Sequence, residues 1–211
     1  MKLQHVTIGV EDIGDDAKPK PCPVRGLVQS HATLHDGGAR CFVETVAIVI
    51  NDRDAVKTVD ARWWCQFDGS REWSTKYATF NANIERLETS PMWKKLLVNK
   101  RCIMPVTSFY EWPEKGKPPV EIRANGGHPF ALAGLWSNWF DNGEPRQSFA
   151  VITTHANDFM TQYHRAMPVV LEEKKLQKLW LLEGGMDILR GFQCGLTAEP
   201  LPDKIENVYE Q

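Results

Sequence analysis

The order of elements along this chain predicts an α+β fold: a curled, mixed or antiparallel β-sheet with short surrounding helices. Three observations carry that expectation. From residue 42 onward, short apolar or alternating runs dominate the sequence. Two Asn-Gly dipeptides, Asn125-Gly126 and Asn142-Gly143, punctuate those runs as tight turns with positive φ. Finally, there is neither a βαβ alternation nor a Gly-rich phosphate loop, so no nucleotide-binding fold and no nucleotide cofactor is expected.

Taken in order, "FVETVAIVI" reads as a buried strand, and "AVKTVDARWW" as its half-exposed partner beyond the turn "NDRD". "TSPMWKKLLVNK" predicts a short helix with Ser90 as N-cap and Pro91 at its first position. "RCIMPVTSFYEW" returns to strand. "PPVEIRANGGHPFALAGLW" and "LWSNWFDNGEPRQSFAVITT" predict two hairpins, one at each Asn-Gly. "ANDFMTQY" predicts a helix capped by Asn157, and "MPVVL" a short strand. "EEKKLQKLWLL" predicts an amphipathic helix with Leu176, Leu179 and Trp180 inward.

The 211 residues suit a single domain, 1–211, whose one loose segment is the proline-rich stretch 14–26. A hydrophobic fraction of 42% with 25% charged residues is that of a globular protein. No apolar run reaches the length of a membrane span, and the first residues lack a signal-peptide pattern, so a cytoplasmic location is expected. Five cysteines without a CxxC pair argue against a disulfide scaffold and against structural zinc. His31 and His35 share a four-residue spacing but lack the glutamate of a zinc-protease helix, so no metal site is expected. A net charge of −2 weighs against coating of duplex DNA yet leaves room for a local basic patch. Of eight tryptophans, most belong in a core; any exposed beside Lys or Arg would make a platform for unpaired bases.

One residue stands out chemically. In "PVTSFYEW", Glu111 sits in an otherwise apolar strand. It either points to water at a frayed strand end, or lies in a partly dry pocket built by Phe109, Tyr110 and Trp112. The second arrangement would raise its pKa and make it a proton carrier near neutral pH.

Read together, "FNANIE", "RCIMPVTSFYEW", "FALAGLW", "SFAVITTHAN" and "YHRAMPVVL" resemble the SRAP family, the SOS response-associated peptidase domains that shield abasic sites in single-stranded DNA. The resemblance covers residues 42–200 and implies that family's barrel-like fold. It implies catalytic roles for Glu111 and His164 and a DNA contact at Asn81. It also implies a partner, single-stranded or junction DNA with abasic damage, and requires no cofactor. Basic and aromatic composition adds Trp73, Arg165, Lys94 and Lys95 as candidate DNA contacts, and a monomer is expected.

Such a substrate asks for these groups. An abasic site is a masked aldehyde on an anionic strand. An amine attacks it while one group donates a proton to open the sugar and another takes protons back. The family's nucleophile is a cysteine directly after the initiator methionine; here that position is Lys2. Lys2 offers an ε-amine for a Schiff base but no thiol for a thiazolidine. Cys22 would serve only if cleavage after Pro21 freed its α-amine. Asn83 stands where the family has an arginine, Arg165 is displaced by one position, and no asparagine matches near Arg40-Cys41. Two further readings follow: a catalytically degenerate DNA- or protein-binding module of prophage type, and a self-processing peptidase.

Overall fold

The computed structural model describes residues 45–200 apart from 54, 68, 74–76, 112, 114–119 and 191–194. Expectations placed on Lys2, Cys22, the stretch 14–26, His31, His35, Arg40, Cys41 and Trp112 lie outside the described residues. Strand β1 (Thr45–Asp52) buries both faces of its apolar run, with Val46, Ile48 and Ile50 on one side and Val49 on the other. Its partner β2 (Ala55–Trp63) pairs antiparallel from Thr45↔Arg62 to Asp52↔Ala55; it is exposed at its start and buried toward its end.

β4 (Arg101–Val106) adds to the other edge of β1. β7 (Phe130–Asp141) then pairs with β4, from Arg101↔Leu135 to Val106↔Phe130. The other edge of β7 pairs with β8 (Glu144–His155), and β8 meets β2 in parallel over Arg62↔Ser148 and Trp63↔Phe149. The path β7-β4-β1-β2-β8-β7 therefore closes on itself as a five-stranded barrel in a mixed sheet. Gly134 sits where β7 is flanked by both neighbours. A Cβ there would lie 2.8 Å from the Ala150 carbonyl and 2.8 Å from Cys102 Sγ, so only glycine lets the backbones approach.

Two apolar clusters divide the strands by alternation. The inner one takes Ile48, Ala61, Met104, Leu132, Trp136, Phe149 and Val151 from the barrel wall. The outer one takes the intervening Val49, Ile103, Ala133, Leu135, Ala150 and Ile152. Helices cover the outer cluster: Trp93 and Leu96 of α1 (Pro91–Asn99), Trp180 and Leu181 of α2 (Lys174–Leu182), and Leu189 of α3 (Met186–Arg190). A second, smaller sheet orders β5 (Phe109–Glu111), β6 (Val120–Arg123) and β11 (Thr197–Pro200) as β11-β6-β5. Its Phe109, Ile122 and Ala198 belong with the inner cluster.

Four expectations need correcting. The turn at Asn125-Gly126 makes no hairpin: β6 pairs with β5 and β11, whereas β7 is already taken on both edges by β4, β8 and β10 (Val170–Leu171). Gly126 (φ +61°) instead sends the chain from one sheet to the other. The second hairpin stands as expected, with Asn142 and Gly143 both at positive φ between Asp141↔Glu144. "ANDFMTQY" is a single 3-10 turn, Met160–Gln162, although Asn157 Oδ1 does accept from Met160 N at 2.9 Å. "MPVVL" splits, because β9 (Ala166–Pro168) pairs with β8 and β10 with β7. On α2 Trp180 is buried and Leu176 packs against the outer cluster as expected, but Gln177 and Leu181 complete the buried set where Leu179 was expected. Gln177 goes in because its Nε2 donates to the Leu171 carbonyl at 2.9 Å, a bond that hydrophobic periodicity does not reveal.

Candidate active site

β5 positions Glu111 by alternation. Phe109 points into the inner cluster, so Glu111, two residues on, points the same way; Tyr110, between them, is half-buried. Across the ladder Glu111 faces Val120, which packs against the same cluster. Glu111 is only 1% exposed, and among the described residues its Oε1 has no hydrogen-bond partner. Burial pushes its pKa from 4.5 up to about 8. A lone carboxylate would be costly in such a place, so the group is mainly a neutral acid at pH 7.

His164 follows the 3-10 turn, whose Met160 lies in the inner cluster and whose neighbour Tyr163 packs against it. The ring is held by its own backbone: Nδ1 lies 3.1 Å from Ala166 N and 3.1 Å from Ala166 O. A bare Nδ1 accepts from that N–H, and a protonated one donates to that carbonyl. Both tautomers are therefore satisfied on this side, and switching between them changes whether Nε2 gives or takes a proton. Burial lowers the pKa, and the neighbouring Arg165 charge acts in the same direction.

β3 (Asn81–Asn83) runs parallel to β8, with Asn81 opposite Val151. Ala82 belongs to the outer cluster, which leaves Asn81 on the inner side, its Oδ1 buried with no hydrogen-bond partner among the described residues. Asn83, where the resemblance calls for arginine, caps the following 3-10 turn by accepting from Glu85 N at 2.8 Å. Glu111 and His164 thus stand on or beside elements that enter the inner cluster through Phe109 and Met160, and Asn81 faces the same side from β3. Arg165, beside His164, is exposed.

Three other expected DNA contacts lie elsewhere. Trp73 is on the outer side, with the Arg62 guanidinium 3.6 Å from its ring centroid and the Trp139 ring at 5.5 Å. Lys94 and Lys95 are on the exposed face of α1, whose buried face covers the outer cluster. Composition placed basic and aromatic residues near one another in sequence but could not assign them a side of the barrel. It also missed Arg62, Arg146 and Trp139 as companions of Trp73; the period-two alternation of β2, β7 and β8 would have put them on one face. Among the described residues no group of three His, Cys, Asp or Glu could hold a metal ion. No helix among them is long and apolar enough to cross a membrane.

A five-stranded barrel in a mixed sheet, with an orphaned acid and a backbone-held histidine on its inner side, defines an α+β barrel with acid–base capacity. The SOS response associated peptidase (SRAP) family model matches residues 39–203, and the chain belongs to that family. It is 34% identical over 142 residues to the abasic site processing protein YoqW of Bacillus subtilis, covering 65% of this chain and 63% of that one. It is 27% identical over 139 residues to the abasic site processing protein YedK of Escherichia coli, covering 65% and 61%. The chicken abasic site processing protein HMCES is 26% identical over 163 residues, covering 63% and 48%. The matched segments thus span less than two thirds of these relatives. A crystal structure of a Bordetella bronchiseptica protein shares the fold with a TM-score of 0.65 at 22% identity, covering 82% of this chain and 90% of that one. One from Bacteroides thetaiotaomicron gives 0.62 at 23% identity, covering 74% of each.

Proposed function

We propose that this chain recognises abasic sites in single-stranded or junction DNA and processes them through a Schiff base, in the response to DNA damage. The observation that carries the reading is Glu111, a buried carboxyl with an unpaired oxygen on the side of the barrel that His164 shares. The names of the relatives, all abasic site processing proteins, supply the substrate class.

The opposed pKa shifts suit the two roles. Glu111 is raised and His164 lowered, so near pH 7 the acid carries its proton and the base is free of one. An amine, with Lys2 the candidate, adds to C1′ of the open sugar; neutral His164 takes the proton it sheds and returns it to the new alkoxide, giving the carbinolamine. Glu111 protonates that hydroxyl, water leaves, and a protonated imine remains beside the Glu111 carboxylate. Asn81 Oδ1, an unpaired acceptor, suits a hydroxyl donor of the sugar.

The test is an abasic single-stranded oligonucleotide run on a denaturing gel with and without borohydride. Trapping with the reductant and strand cleavage without it are expected. Glu111→Gln and His164→Ala each should slow trapping by about 10²- to 10⁴-fold with DNA affinity retained, and Lys2→Ala should reduce it. The rate should fall above about pH 8, where Glu111 ionises, and again at acid pH as His164 takes a proton. A heat-stable adduct formed by uncleaved chain without borohydride would overturn the imine. Loss of the first 21 residues, read by intact mass, would point to self-processing at Pro21-Cys22 instead.

A further inference from the structure

On the outer side of the β2–β8 wall, away from Glu111, lies a cavity of about 420 Å³. Cys65 at its back belongs to the outer cluster, which fixes the side. The walls are held by polar bonds. Gln66 N donates to Ser148 Oγ at 2.8 Å, and buried Thr79 donates through Oγ1 to the Cys65 carbonyl at 2.7 Å. Phe67 and Tyr77 meet edge to face, ring centroids 6.0 Å apart, and Tyr77 is 61% exposed. Arg71 lines the cavity and is exposed.

The cavity joins the aromatic–arginine stack described above. Trp139 Nε1 donates to the Ser70 carbonyl at 2.8 Å, and Arg62 Nη2 to Gln66 Oε1 at 2.9 Å. Arg146 lies 6.0 Å from the Trp73 ring and 5.9 Å from that of Trp139. The opening itself is lined by Arg71, Glu72 and the rings of Phe67 and Tyr77, and through Ser70 and Gln66 it adjoins the stack of Arg62, Arg146, Trp73 and Trp139. Flat rings for stacking, with guanidinium groups beside them, are the composition that holds unpaired bases and their phosphates. The volume lies in the range of small-molecule pockets.

We propose that this cavity is a second binding site and takes one unpaired nucleobase, stacked on the exposed Tyr77 ring with Phe67 meeting its edge, and with its phosphate held by Arg71. The site stands on the opposite side of the barrel wall from Glu111 and does not depend on the chemistry assigned there. The ligand is either a nucleotide within a bound strand or a free mononucleotide.

The test uses the full-length chain with two probes, undamaged oligothymidylate and thymidine monophosphate, followed by fluorescence anisotropy and tryptophan quenching. Arg71→Glu and Tyr77→Ala, both at exposed positions, should each weaken probe binding by about tenfold. Both should leave borohydride trapping of saturating abasic oligonucleotide at its wild-type level. Displacement of the monophosphate by the oligonucleotide would assign the site to a strand, and monophosphate binding without displacement to a free nucleotide; either supports the site. Wild-type affinity in both variants, or no binding of either probe by the wild type, overturns it. Trapping that fails in the wild type while the probes bind would sink the reading of Glu111 and leave this one standing.

Discussion

Arg101 opens β4 and Glu111 closes β5, and both are buried, at 7% and 1% exposure. The guanidinium of Arg101 is fully engaged. Nε donates to the Trp180 carbonyl, Nη1 to those of Leu97 and Val98, and Nη2 to those of Leu181 and Leu182. These are carbonyls at the C-terminal ends of α1 and α2, where unpaired C=O groups and the negative end of the dipole attract a cation. Gly184 (φ +71°) follows α2, and a Cβ there would come within 2.9 Å of the guanidinium. Glu111 has the opposite character, with one carboxyl oxygen unpaired. The contrast separates two uses of a buried ionisable group. One whose polar atoms are met by the fold ties elements together, whereas the other has an oxygen that no described part of the fold uses.

The contrast can be broken first at Arg101. Arg101→Met keeps much of the side-chain volume but leaves the carbonyls of two helix ends without their donor. Leaving a buried polar group unsatisfied costs about 1–3 kcal/mol. Urea unfolding should show that loss, and a loss below about 1 kcal/mol would mean water replaces the guanidinium and the tie is dispensable.

Glu111 should show the opposite response, and pH sharpens it. Its folded pKa, about 8, lies above the ordinary 4.5, so the folded chain keeps a proton that the unfolded chain has released. The stability this group contributes is whole below about pH 4.5 and is lost as pH rises toward about 8, by up to about 1.4 kcal/mol per unit. Glu111→Gln, neutral throughout, should remove that slope and be the more stable protein at pH 8, even as it stops trapping. Parallel pH dependences for the two proteins would show that Glu111 ionises freely in the folded state.

How far the sequence reaches differs between these residues for a physical reason. Glu111 drew notice because a single carboxylate in an apolar strand breaks the local pattern, but that pattern left open whether it faced water; only the resemblance singled it out, and alternation with Phe109 in β5 shows its side. The β7–β8 turn was legible because positive φ at two successive positions demands Asn-Gly. Arg101 was not, since its acceptors are main-chain carbonyls, which every residue type supplies and no motif records. The failed hairpin at Asn125-Gly126 has a related cause. A turn signal shows where the chain reverses but not which strand edges are still free, and β7 was already paired on both. The face carrying Trp73 was hidden in the same way, because sides of a barrel are assigned by closure rather than by neighbours in sequence.

The smallest expected effect belongs to the other histidine of this region. His155 ends β8, and its Nε2 lies 2.9 Å from Glu85 Oε1 with the two side chains 78% and 62% exposed. By distance it is a well-formed acid–base pair. Water and salt screen it, however, and an exposed ion pair is worth at most about 1 kcal/mol. His164 is half-buried, and its ring is fixed by Ala166. His155→Ala should therefore leave the urea midpoint and the trapping rate within error of the wild type, under the same conditions in which His164→Ala loses trapping. A trapping defect in His155→Ala as deep as that in His164→Ala would show that the proton carrier has been assigned to the wrong end of the β8–β9 turn.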